Sequence, residues 1–305
     1  MPFSIPGLSD PLIRAADQYD APTPVQTAAI PAVLTGNDVL ATAKTGSGKT
    51  TAFVLPLLQQ WLEAPRKTPK QVHALILVPT RELASQVRDV VQQLSRHLPE
   101  RIKVISAVGG VSINPQMMAL RGGADFIVAT PGRLLDLVER NAVTLSNVNA
   151  LVLDEADRML NLGFADELNR ILAMLLERRQ NLLFSATFPA AVEAMAGLDI
   201  AQLPAVLNYD LPRSPADYTH RIGRTGRAGE AGVAISFVTA DTQAHFNLIE
   251  KRNQLNIPRE EIVDFEPTEI ASPQLSSPGT GGIKGRRKSK KDKLREAAAR
   301  EAGES

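Results

Sequence analysis

The sequence predicts an α/β protein in which a parallel sheet carries helices on both faces. Three observations lead there. Short β-rich runs recur from Asp38 to Thr187. Segments with apolar residues three and four apart lie between most of them. The runs themselves are nearly continuous in apolar residues, as strands covered on both faces must be.

The first run, VLATA (39–43), precedes a helical pattern over 49–63, and ALILVP (74–79) precedes another over 81–97. VISAVG (104–109), FIVAT (126–130) and ALVLDE (150–155) follow, then a helical pattern over 165–178 and the strand NLLFSAT (181–187). Residues 1–196 are therefore expected to form one α/β lobe. Beyond it the pattern thins to two strand candidates, AVLNYDL (205–211) and VAISFV (233–238), so 197–265 reads as an incomplete second lobe. Residues 266–305 are rich in Pro, Ser and Gly and then basic, the composition of a disordered tail.

Length and composition agree with this. At roughly 150 residues per domain, 305 residues suggest two domains. With 44% apolar and 22% charged residues, the chain is neither disordered as a whole nor a membrane protein. Its longest apolar runs fall short of the ~20 residues that a spanning helix needs. The N-terminal MPFSIPGLSD has no basic segment ahead of an apolar one, and a cytoplasmic protein is the expectation. Zero cysteines exclude disulfides, thiol catalysis and cysteine metal sites. The net charge of +1 hides an asymmetry: residues 283–305 hold nine Lys/Arg against four Asp/Glu, so a basic arm follows a mildly acidic body. Such an arm suits a polyanion, nucleic acid among them.

The most specific local signal is AKTGSGKT (43–50), placed between a strand and a helix. Gly46 and Gly48 let the backbone curl so that N–H groups converge on one anion at a helix N-terminus, with Thr45 and Ser47 in the same loop. Lys49 then reaches the β/γ-phosphates of a nucleotide, and the Thr50 hydroxyl is placed for Mg²⁺. Ala43 stands where the tightest form of the motif has glycine. LVLDEAD (151–157) ends an apolar strand in Asp154, suited to Mg²⁺, and Glu155, suited to take the proton of an attacking water.

Together the residues resemble the DEAD-box RNA helicases, closest in overall look to the bacterial RhlE-like branch. The tetrapeptide Asp154-Glu155-Ala156-Asp157 is present. APTPVQ (21–26), PTRELA (79–84), Gly109-Gly110, TPGR (130–133), SAT (185–187) and HRIGRTGR (220–227) accompany it in the family's order. The resemblance implies RecA-like lobes, ATP and Mg²⁺ as cofactors, and RNA as partner. It implies that Gln26 reads the adenine edge and Tyr19 stacks on the base, with Gln18 where a glycine is usual. Thr80, Arg81, Gly109, Gly110, Thr130 and Arg133 would contact the RNA backbone, independently of sequence. Ser185, Thr187, Asp157 and His220 would couple nucleotide state to RNA grip. Arg224 and Arg227 would be catalytic arginines reaching the γ-phosphate from the second lobe, and Asp199 would meet a ribose hydroxyl.

The resemblance also exposes a gap. Ten residues, FPAAVEAMAG (188–197), separate Thr187 from Leu198, and one βαβ unit takes ~30. The opening half of the second lobe is missing, and the remnant is expected to be marginal or to dock abnormally on lobe one. Three functions remain open. The chain is an RNA-stimulated ATPase that remodels short duplexes with impaired efficiency, a non-catalytic ATP- and RNA-binding module, or a deletion product without unwinding activity.

Overall fold

The computed structural model describes residues 3, 5–43, 46–65, 68–185, 205–208, 210–212, 214–223, 225 and 233–260. The basic tail lies outside them. Within the compact unit Met1–Arg259 the described strands form one eight-stranded sheet. The strands are β1 (Val39–Thr42), β2 (Ala74–Leu77), β3 (Val104–Ala107), β4 (Phe126–Ala129), β5 (Ala150–Asp154), β6 (Gln180–Ser185), β7 (Ala205–Asn208) and β8 (Val233–Ser236). Their spatial order is β3-β4-β2-β5-β6-β1-β7-β8, and every pair is parallel.

Alternation along the strands builds a core on each side. Val39, Ala41, Ile76, Val152, Leu182 and Phe184 pack in one cluster with Leu12, Ile30, Phe53 and Val87. These last come from α1 (Asp10–Ala16), α2 (Pro24–Leu34), α3 (Lys49–Glu63) and α4 (Arg81–Leu94). Leu40, Leu75, Leu77, Ile127, Leu151, Leu153 and Leu183 belong to the other cluster, with Leu120, Leu134, Met159 and Ile171. Those sit on α5 (Asn114–Leu120), α6 (Pro131–Glu139), α7 (Ala156–Asn161) and α8 (Ala165–Met174). Since successive side chains on a strand point oppositely, near-continuous apolar strands become two cores separated by one sheet.

Each of the first six strands falls within or beside its expected run, and α3 spans the expected 49–63. The pattern over 81–97 resolves into α4 and a 3₁₀ turn at Ser95–His97. Helices without a strong stripe were not foreseen. In α2, PVQTAAIPAVL is apolar nearly all round and holds Pro31, while α5 and α7 are too short to show a period.

The two strand candidates beyond residue 197 take their place at the edge of this sheet. β7 pairs with β1, Val39 opposite Ala205 through Thr42 opposite Asn208, and β8 pairs with β7. The two helices of this C-terminal part, α9 (Pro215–Ile222) and α10 (Gln243–Asn253), are held together by Tyr218 edge-on to Phe246 at 5.6 Å and by Ile249. The physical reason is backbone saturation. Two strands cannot sustain a sheet alone, and β1 offers them a row of donors and acceptors.

The core on the α1–α4 side is keyed by aromatic contact across the helix–sheet interface. Phe53 of α3 meets Phe184 of β6 with ring centroids 5.2 Å apart, both fully buried. Phe53→Ala should cost about 3–5 kcal/mol in a denaturant titration; a loss under ~1 kcal/mol would mean this interface is not the keystone described.

Candidate functional site

In a parallel sheet all carboxyl ends of the strands share one edge, and ligands bind in open α/β folds beyond it. The loop AKTGSGKT follows β1, PTRELA follows β2, Gly109-Gly110 follows β3, TPGR follows β4, the acidic pair closes β5, and Ser185 ends β6. Motifs spread over nearly half the chain are thus gathered on one rim.

In the AKTGSGKT loop, Gly46 has φ +82° and Gly48 φ +91°, left-handed values that favour glycine. Gly48 is also close-packed: an added Cβ would stand 2.5 Å from Gln26 Nε2 and 2.9 Å from Thr23 Oγ1. Lys49 opens α3, is 6% exposed, and its Nζ has no hydrogen-bond partner. Thr50, next on the helix, is half-buried; Thr45 lies outside the described residues.

Asp154 ends β5, 2% exposed, with Oδ1 unpartnered. Burial pushes its pKa from 3.8 to about 6, against the pull of Lys49 and with a further push from Glu155. Glu155 stands at φ 53°, which re-aims the chain between β5 and α7, and its Oε2 pairs with Arg158 Nη1 at 3.0 Å. A buried ammonium and a buried carboxylate, each with an unpartnered atom, are costly unless something binds them. An anion with a hard cation is the ligand that answers both.

Gln26 and Thr23 brace the loop from outside. Thr23 N–H donates to Gln26 Oε1 at 2.9 Å, Gln26 Nε2 donates to Gly48 O at 3.2 Å, and Thr23 Oγ1 donates to Ser47 O at 2.9 Å. Tyr19 receives a hydrogen bond from Thr51 Oγ1 at 3.4 Å, on the first turn of α3. The bracing role of Thr23 was not foreseen, although Thr-Pro-Val-Gln has the spacing of a capping box.

The remaining motif residues fall into two groups. In the first, the Thr80 hydroxyl caps α4 by accepting from Leu83 N–H at 3.2 Å. Arg81 lies over Gly110, whose added Cβ would meet Arg81 Nη1 at 2.5 Å, while open space surrounds Gly109. Thr130 is buried at the start of α6. Arg133 Nη2 donates to Val111 O at 2.9 Å, and its Nη1 is buried without a partner. Gln116, also unforeseen, clamps Val108 by accepting from its N–H and donating to its C=O, both at 3.1 Å.

In the second group, Ser185 is fully buried and joins two motifs. Its Oγ accepts from Asp157 N–H at 3.3 Å, and its C=O accepts from Ala43 N–H at 3.0 Å. His220 lies on α9, though its side chain is outside the described residues, as are Thr187, Asp199, Arg224 and Arg227. No helix among the described residues is long and apolar enough to cross a membrane.

The family profile described as DEAD/DEAH box helicase matches residues 23–195, and that described as Helicase conserved C-terminal domain matches residues 166–229. DEAD-box ATP-dependent RNA helicase 28 of Oryza sativa subsp. japonica is 43% identical over 228 residues, covering 73% of this chain. The chain spans 28% of that relative's length. DEAD-box ATP-dependent RNA helicase CshA of Bacillus cereus is 29% identical over 364 positions, covering 83% of this chain and 68% of the relative. Among solved structures, the yeast DEAD-box splicing factor Prp28 aligns with a TM-score of 0.59 at 25% identity, covering 84% of this chain and 90% of that one. A DEAD box protein from Methanococcus jannaschii aligns with a TM-score of 0.57 at 28% identity, covering 83% and 97%.

The raised pKa of Asp154 makes a pH prediction for the metal-free protein. A carboxyl whose pKa rises on folding binds its proton more tightly when folded, so its ionisation costs stability. That cost is absent below 3.8, grows as pH rises and is complete above about 6. Against Asp154→Asn, which cannot ionise, the wild type should lose up to about 3 kcal/mol across that window. Paired urea titrations with a chelator present check it, and a constant difference would contradict it.

Proposed function

Since the chain belongs to the DEAD/DEAH box helicase family, we propose that it binds ATP with Mg²⁺ at the β1 and β5 ends, and RNA along the same rim. In this reading residues 1–196 are the RecA-like ATP-binding lobe, 197–265 a remnant of the second lobe, and 266–305 a basic tail. The RhlE-like branch and action in the cytoplasm belong to the same proposal. The observation that carries it is the juxtaposition of buried, unpartnered Lys49 Nζ with buried, unpartnered Asp154 Oδ1 beside a loop in left-handed turns.

Bound ATP with its metal would supply the phosphoryl group and the charge that polarises it. The chain's residues then divide the work. Gly46, Ser47 and Gly48, with Thr45, present backbone N–H groups; Lys49 neutralises phosphate charge; Thr50 and Asp154 hold the metal. Glu155 takes the proton from the attacking water once Arg158 releases it. Tyr19 and Gln26 serve the base, Gln26 with the amide hydrogen not committed to Gly48. Asp199 would serve the ribose. Thr80, Arg81, Gly109, Gly110, Thr130 and Arg133 meet RNA phosphates and sugars, and the unpartnered Arg133 Nη1 supports that role. Asp157, Ser185, Thr187 and His220 couple the two sites, and Arg224 and Arg227 stabilise charge at the γ-phosphate.

A second reading, binding of ATP and RNA without duplex separation, is favoured by one specific observation. The match to CshA runs over 364 positions, longer than the 305-residue chain itself, so a long stretch of that relative faces no residue here. This supports an internal deletion, and a chain lacking half of one lobe lacks half of a closing clamp.

Calorimetric titration with ATP and magnesium should give heat for the wild type and for Glu155→Gln, and none for Lys49→Ala. RNA-stimulated phosphate release should fall at least ~100-fold in Glu155→Gln. Wild-type protein that is folded but yields no heat would refute nucleotide binding; unaltered turnover in Glu155→Gln would refute its role as base. Removing residues 283–305 should flatten the dependence of RNA affinity on salt, and an unchanged slope would remove the tail from the interface.

A further inference from the structure

The root of the phosphate loop is gripped from both flanks. On one side Ala43 N–H donates to Ser185 C=O at 3.0 Å. On the other, Thr42 Oγ1 donates to Leu207 C=O at 3.2 Å and accepts from Arg221 Nη1 at 3.4 Å. The same Nη1 reaches Asn208 Oδ1 at 3.4 Å and Asp210 C=O at 3.2 Å. Thr42 and Asn208 are buried, and Asn208 Nδ2 leads on to Ser236 Oγ at 3.4 Å, which Tyr218 OH meets at 3.1 Å.

Arg221 belongs to HRIGRTGR, whose arginines the resemblance places on a separate lobe, acting across a cleft. Here the helix that bears it stands on β1's own sheet. Burial draws the guanidinium pKa downward, and Asp217 and Asp210 counter that, so the group is charged and directed at neutral oxygens. Hydrogen bonds from a charged donor are stronger than neutral ones. A threonine hydroxyl has one proton and two lone pairs; with its proton committed to Leu207 and a lone pair to Arg221, its rotation stops.

We propose that Arg221 is a positioning residue for the phosphate loop, fixing Thr42 and thereby the direction in which the chain leaves β1 toward Gly46. The inference rests on the reading that residues 43–50 hold a nucleotide. Phosphate-binding amides must converge on one point, and small misplacements of such groups are expensive. Nucleotide affinity in this chain therefore depends on the remnant in cis, through β7 and α9.

The test uses the full chain and titration of ADP with magnesium, with thermal melting measured alongside. Arg221→Ala should weaken ADP about tenfold while the protein stays folded. Arg221→Lys should recover most of it, because all three contacts come from one nitrogen that an ammonium can replace. Thr42→Val, which keeps the shape and removes the hydroxyl, should weaken ADP comparably, and the double variant should lose little more. A purely structural Arg221 would lower the melting temperature and leave the ADP affinity of the folded protein unchanged, and that result overturns the proposal. Should Arg221→Ala not fold, Thr42→Val decides alone: weaker binding supports the inference and wild-type binding overturns it. Absence of ADP binding in the wild type would instead strike the nucleotide reading itself.

Discussion

Two opposite charges kept out of water set the terms for the rest of this molecule. Lys49 opens α3 and Asp154 ends β5, both nearly fully buried, and each has an atom without a partner. Nothing in folding favours such an arrangement on its own account, since desolvation already raises the Asp154 pKa to about 6 despite the nearby lysine. The surrounding structure must therefore over-determine it. Gly48 is wedged under Gln26 and Thr23, the loop's root is tied to Ser185, and Glu155 is held in a left-handed turn by its pair with Arg158. Strain and buried polarity collect where a charged ligand would relieve them.

The sheet explains how that is achieved. Parallel strands, each nearly all apolar, are covered by α1–α4 on one side and by α5–α8 on the other. Every crossover returns to the same starting edge, so loops leaving the opposite edge are neighbours whatever their distance in sequence. Ser185 accepting from Asp157 and Ala43 is one result; Arg81 lying over Gly110 is another. A related constraint, backbone pairing, explains the placement of β7 and β8. β1 has two sides, β6 occupies one, and the unpaired backbone of the other accepts β7. Val233 and Ile235 on the outermost strand remain exposed, as befits a segment that has found a backbone partner but little cover.

Much of this was legible beforehand. Apolar runs ending in Gly-rich or acidic residues located the first six strands, and the periodic stretch Lys49–Glu63 became α3 to the residue. Local signals failed where burial is all-round or the element is short. α2 is apolar on nearly every face, so no stripe could announce it, and α5 and α7, at seven and six residues, make two turns or fewer. At the site, glycine spacing indicated the phosphate loop, but the commitment of Gln26 to Gly48 and of Gln116 to Val108 depends on which loops lie side by side.

The sequence by itself determined the class of the fold and the positions of the Gly-rich loop after β1 and the acidic pair that closes β5, because each is written in neighbouring residues. Tertiary structure alone decided that β7 would lie against β1 and that Arg221 would reach Thr42, residues 179 positions apart. Edge pairing is governed by which backbone row is left unsaturated once everything else has folded, and no local pattern of side chains encodes that remainder.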